Sequence, residues 1–193
     1  MTVADNVPRA PGTDLPRWAA DLLHVWFHDL APSDWFKPSE TIDSMLHRRF
    51  GDTLEAMAAR RAGDFTDNAE LAQAAILLFD QVPRNIHRQT PRAFATDKLA
   101  VEIAKSVIEQ GWDNSLPDAQ RQFIAMPLMH SEDIADQEAS LAYFGKYLPG
   151  NLSFARSHHE MIAHFGRFPH RNDVLGRETT EAEQRAIDEG FSW

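Results

Sequence analysis

Apolar residues recur at helical spacing along nearly the whole chain, and no segment alternates convincingly with a period of two. A sheet face needs that alternation and a helix face needs the spacing of three and four, so the pattern restricts the fold to all-α. Trp18, Leu22, Val25, Trp26 and Leu30 form a first stripe, opened by Asp14 and Pro16. Ser39 opens a second helix with Ile42, Met45, Leu46 and Phe50 on one face, continuing past Gly51 to Gly63. Asp67 is the expected cap of a third, strongly apolar helix through Leu71, Ala75, Leu78 and Phe79. It should stop before Pro83, because proline disfavours helix in its predecessor. Thr90-Pro91 begins a fourth, a capping residue followed by proline, with Gly111 just past its end. A shorter helix follows Pro117, Ser131-Glu132-Asp133 opens another, and Asn151 starts one that ends at Gly166. Thr180 and Glu183 have capping-box spacing ahead of a last short helix. No repeat period is present, and no composition break suggests a second domain. The division expected is a loose tail at 1–13, rich in proline and small polar residues, and one all-helical domain over 14–193.

Charge and composition narrow the function classes. The chain has 193 residues, enough to bury a sizeable core, with 43% hydrophobic and 25% charged residues. A net charge of −10 disfavours nucleic acid or an anionic membrane as the main partner. There are no cysteines, which removes disulfides, thiolate metal sites and cysteine nucleophiles. The N-terminus has no apolar leader and no window resembles a membrane span, so a cytoplasmic location is expected. No glycine-rich phosphate loop, Walker A motif or GxSxG elbow is present, and no cofactor is specified.

Against the acidic total, arginine is concentrated in two places. Residues 81–96 contain Arg84, Arg88 and Arg92 with no acid; residues 155–172 contain Arg156, Arg167 and Arg171 against Glu160 alone. The first cluster, FDQVPRNIHR, and the second, HHEMIAHFGRFPHRNDVLGR, share a build: an apolar helix, a proline, then Arg-Asn. Such groups grip carboxylates or phosphates. The plain alternative is that the arginines pair with Asp80, Asp97, Asp133 or Asp173 inside the fold. Asp80, Gln81, Arg84 and Asn85 lie at the end of the most apolar helix, where Asp80 needs a partner and Arg84 or Arg88 is nearest. These four either fix a loop through orphan carbonyls or hold a planar anion between arginines.

The histidines offer acid–base chemistry. His130, followed by Ser131, Glu132, Asp133, Asp136 and Gln137, reads as sitting just before a helix N-terminus, where the dipole disfavours its charge and leaves a neutral base. The local pattern favours the duller account, with Ser131 a cap and the acids complementing the dipole. His158, His159, His164 and His170 crowd the last long helix. A metal site from His130, His158 and His170 with Glu132 needs the fold to assemble it, and none is expected. His24 and His28 share a helical face, but the HVWFH sequence lacks the glutamate of a zinc-protease motif and reads as two boundary histidines.

With these motifs in place the chain resembles the DUF924 family of bacterial proteins of unknown function. The match is carried by Trp26-Phe27, Trp35-Phe36, LLFDQVPRN (77–85), PRAFATD (91–97), MPLMHSEDIADQE (126–138) and FGRFPHRNDVLGR (165–177). It spans about 22–191 and implies a helical array similar to tetratricopeptide-like right-handed superhelices, although the roughly 34-residue signature of such repeats is not readable. The resemblance is strongest at Asp80, Gln81, Arg84, Asn85, His130, Glu132, Gln137, His158, Arg167, His170, Arg171 and Asn172. It departs where members show FWFG, since Val25, Trp26, Phe27 and His28 stand here; Val82 also replaces the usual aromatic. No activity transfers with it.

We expect the clusters to meet in one cleft that binds a small anionic or polar molecule. Arg84, Arg88, Arg167 and Arg171 would clamp charge, with Asp80, Gln81, Asn85, Gln137 and Asn172 as further binding groups. His130, Glu132, His158 and His170 are the catalytic candidates. The rival is a helical module that binds a protein or peptide, its polar motifs serving as structural hydrogen-bond networks.

Overall fold

The computed structural model describes residues 15–190, and every regular element among them is helical. The expected tail at 1–13 lies outside the described residues. In chain order the α-helices are α1 (Arg17–His24), α2 (Glu40–Met57), α3 (Ala69–Ile76), α4 (Val82–Ile86), α5 (Asp97–Glu109), α6 (Asp118–His130), α7 (Ile134–Tyr147), α8 (Leu152–Phe165) and α9 (Glu181–Asp188). Two π-helical turns, Val25–Asp29 and Leu77–Gln81, extend α1 and join α3 to α4.

Residues 71–83 are buried without a break, so α3 and its π turn form the centre of the molecule. Around them pack α1, α5 and α6, while α7 packs against both α6 and α8. Trp26, Phe50, Phe79, Phe123 and Phe144 are almost wholly removed from solvent in one contiguous core. Each such side chain contributes about 1.5–3 kcal/mol by leaving water. A smaller cluster of Met161, Ile162, Phe168 and Ala186 fastens α8 to α9 around the turn that carries His170 and Arg171.

Several local expectations hold: Ser39 caps α2 by accepting from the Ile42 N–H, Gly166 ends α8 at a φ of 69°, and Thr180 with Glu183 forms a capping box. Others are corrected. Asn68, not Asp67, caps α3, its Oδ1 accepting from the Leu71 N–H at 2.8 Å. The second helix ends at Met57 rather than Gly63, and the chain turns through Ala62–Phe65 to bury Phe65 edge-on against Phe79. The helix expected from Thr90 begins as a 3-10 turn, Pro91–Phe94, and α5 proper starts at Asp97. Asp133 rather than Ser131 caps α7.

The helical path also continues through Pro83, where a stop is expected. A proline inside a helix withholds its N–H from the carbonyl four residues earlier, here Phe79. The Thr96 hydroxyl donates to that carbonyl instead, at 2.7 Å. The π turn just before Pro83 widens the helix at the point of crowding. The next two carbonyls, of Asp80 and Gln81, accept from Arg84 Nη1 at 2.6 Å and Asn85 Nδ2 at 2.9 Å.

Candidate functional site

The π turn aims Asp80 into the protein interior, where it has no exposure to solvent. Burial alone would push its carboxyl pKa up; Arg84, His130 and the Gln81 amide outweigh it and hold the group well below the ordinary carboxylate range. Arg84 Nη1 lies 3.1 Å from Asp80 Oδ1, and Gln81 Nε2 donates to Asp80 Oδ2. His130 Nδ1 stands 2.8 Å from Asp80 Oδ1. An ionised carboxylate can only accept, so the proton of that bond sits on Nδ1 and the neutral ring carries its lone pair on Nε2.

Asp97, the first residue of α5, joins the two arginine motifs. Its carboxylate takes a bidentate pair of bonds from Arg84, at 2.8 and 2.9 Å, and a third from Arg171 Nη1 at 3.2 Å. Arg171 also donates to the His130 carbonyl at 3.0 Å. Its guanidinium lies between the rings of Phe94 and Phe168, 4.4 and 4.5 Å from their centroids. This planar packing is available to arginine and not to lysine. Burial, reinforced by Arg84, lowers the Arg171 pKa to about 10, which leaves it charged at neutral pH. A parallel lock forms from Glu132, which accepts from Arg177 at 2.8 and 3.0 Å and from the Phe168 N–H at 2.8 Å.

Burial lowers the pKa of three histidines near this network, His130, His158 and His170. His130 ends α6 rather than preceding a helix, so the dipole argument does not apply; burial is the main cause of its lowered pKa, with Arg84 assisting and Asp80 opposing. His158 donates from Nδ1 to the Phe154 carbonyl at 2.8 Å, and burial takes its pKa down to about 3. His170 is lowered to about 4 by burial and Arg171. The rings of His130 and His158 are 6.1 Å apart, and Phe168 packs against both His158 and His170.

Above this network opens a cleft of about 560 Å³. One wall is the face of α5 carrying Lys98, Val101, Glu102 and Lys105, a helical stripe; the other is the 131–136 segment that leads into α7. His130, Asp97, Arg171, Phe94 and Ala95 are also among the lining residues. Lys105 pairs with Asp136, which also accepts from the Ser131 hydroxyl at 2.7 Å, so a cation from one wall meets a buried carboxylate from the other.

Asp80, Gln81, Arg84, His130, Glu132 and Arg171 therefore come together, with His158 and His170 beside them. Others serve elsewhere. Arg88 pairs with Asp43 at 2.7 Å and with Asn85, and Arg167 pairs with Glu183 at 2.6 Å. Gln137 is fully buried and donates to the Met129 and Ser131 carbonyls at 2.7 and 2.6 Å. Asn172 is also fully buried, its amide 3.4 Å from Thr179 Oγ1. His24 and His28 stack on each other at an exposed edge. Among the described residues no three His, Asp or Glu side chains stand in an arrangement that could hold a metal ion.

The residues that the arginine motifs alone do not reveal are Phe94, Lys105 and the joining role of Asp97. Asp97 and Phe94 both sit in the PRAFATD motif, at the foot of α5, where an acid also complements the helix dipole.

A family model described as a bacterial protein of unknown function (DUF924) matches residues 22–190. Among solved structures, a protein of unknown function from Agrobacterium tumefaciens, ATU0120, is similar, with 37% identity over 89% of this chain and 97% of that one and a TM-score of 0.83. No curated protein matches.

Proposed function

We propose that this chain, which belongs to the DUF924 family, binds a small polar molecule in the cleft between α5 and the 131–136 segment. The observation that carries the reading is the cleft lining, where His130, Asp97 and Arg171 present fixed polar groups beside Phe94, next to the α5 wall that bears Lys98 and Lys105. Few convergent polar groups within a concave surface are what a small-molecule site requires. An anion reaches the cleft against Asp97, Glu102, Glu132, Asp133 and Asp136, so molecules that carry both charges, or several hydroxyls, suit it better than a bare anion. A cytoplasmic location accords with the lack of cysteine; no helix among the described residues is long and apolar enough to cross a membrane.

The second reading is a tetratricopeptide-like superhelix that binds a peptide, with the polar motifs locking helix corners. It is supported by the pairing of Arg84, Arg88 and Arg167 with Asp97, Asp43 and Glu183, and by α5, α6, α7 and α8 packing in chain order. A thermal-shift screen against polar metabolites, anions and divalent metals separates the two when run beside Ala95→Trp. Ala95 is exposed on the cleft lining, so an indole there obstructs it without disturbing the core. A ligand at a hundred times its Kd should raise the wild-type melting temperature by roughly 5–10 °C and that of the variant hardly at all. Hits that stabilise both proteins equally would place binding elsewhere.

A further inference from the structure

Resting on the cleft as a ligand site, we infer that His130 is its catalytic base and Asp80 the positioning residue behind it. The ring sits at the end of α6 with its side chain 12% exposed, and it lines the cleft; Asp80 is fully enclosed and does not. Asp80 fixes the ring through Nδ1 at 2.8 Å, Arg171 fixes the backbone of the same residue through its carbonyl at 3.0 Å, and His158 flanks the ring. The charged and titratable groups around it include Asp80 and Arg84 from the α3–α4 path, Asp97 from α5, His158 from α8, and His170 and Arg171 from the turn before α9. His158 and His170 are not part of the lining.

The step assigned to this pair is proton transfer from an O–H group of the bound molecule, or of water beside it. As the O–H bond breaks, its electron pair stays on oxygen and the proton joins Nε2 to give imidazolium. Asp80 stays ionised and holds the Nδ1 proton, stabilising the cation that forms. Arg171, Lys98 and Lys105 supply positive charge for the oxygen anion left in the cleft. Return of the proton to product restores the neutral ring. A buried pair that only braces the fold needs the same Asp80 bond, but it does not need Nε2 to be reachable from the cleft.

Diethyl pyrocarbonate, which acylates neutral imidazole nitrogen, probes that difference in the intact protein. Peptide mass mapping follows His130, with exposed His24 and His164 as internal standards. We expect His130 to be acylated, Ala95→Trp to slow it by roughly tenfold or more while the standards are unchanged, and Asp80→Asn to slow it similarly, as removing the orienting acid does in comparable pairs. Because Asp80→Asn can unfold the chain, imidazole nitrogen NMR of the wild type supplies the second measurement; it should show the Nδ1–H tautomer, neutral at pH 7. An unmodified His130 beside fully modified standards, acylation indifferent to Ala95→Trp, or an Nε2–H tautomer overturns the inference. The ligand screen reads separately: a ligand with an unreactive His130 leaves a binding site without a base, and a reactive His130 without any ligand removes the cleft reading instead.

Discussion

At the scale of single residues, Asp97 joins the two arginine motifs. Its carboxylate faces both Arg84 and Arg171, so Asp97→Asn leaves two largely buried guanidinium groups short of negative charge. Breaking buried pairs from one side costs about 3–5 kcal/mol, and urea denaturation should show a loss of that size, whereas Arg88→Ala, at a half-exposed pair, should cost below about 1 kcal/mol. Acid sensitivity follows from the histidines. His130, His158 and His170 have folded pKa values below their unfolded value near 6.5. Between the folded and unfolded values the unfolded chain binds more protons, so stability falls as pH drops below about 6.5, at up to about 1.4 kcal/mol per pH unit for each histidine. Asp80, lowered in the fold, acts only further down, its stabilisation being lost as pH falls below the ordinary carboxylate range. Denaturation curves between pH 7 and 5 should show this slope in wild type and a shallower one in His158→Gln; equal slopes would exclude His158 as a source. What the sequence made legible here was local. The Asp80–Arg84 pair follows from helical spacing, but the Asp97–Arg171 bond joins residues 74 apart and no local pattern reveals it. The His130 pKa is lowered, as expected, but by burial and not by a helix dipole, since the residue ends α6.

At the scale of elements, some caps set by adjacent side chains were readable, while Asn68 and Asp133, equally local, were each missed in favour of a nearby residue, and ends set by distant packing were not readable. Ser39 and Thr180 act within three residues of themselves. The passage through Pro83 depends on Thr96, from the foot of a different helix. Thr96→Val keeps the shape and removes the hydroxyl that serves the buried Phe79 carbonyl, so it should destabilise the protein by about 1–3 kcal/mol. A change below about 0.5 kcal/mol would mean that water or relaxation replaces that bond. This also accounts for Arg84 and Asn85 at fixed offsets from Asp80 and Gln81, since each donates to the carbonyl four residues before it. At the other end, Thr180→Ala breaks the capping box of α9 at a cost of about 0.5–2 kcal/mol. Hydrogen exchange should show the loss first in α9, whose Glu183 also holds Arg167.

For the whole molecule, the all-helical class was written in the spacing of apolar residues, and the central place of the third helix in its strongly apolar composition. The meeting of the two Arg-Asn motifs was not, because Asp97 joins them only with α5 packed against α3 and α6. Once folded, charges that looked free in the sequence are largely matched: Arg84, Arg88, Arg167, Arg171 and Arg177 each face a carboxylate. The cleft above them is where fixed polar groups remain open to a partner. The most direct test of that claim is an amide NMR titration of isotopically labelled protein with pools of polar metabolites. Shifts should be confined to residues 91–105, 130–136 and 171–175 and be absent in Ala95→Trp; shifts that arise only with peptides, and run along helix faces away from these residues, would contradict a small-molecule site in the cleft.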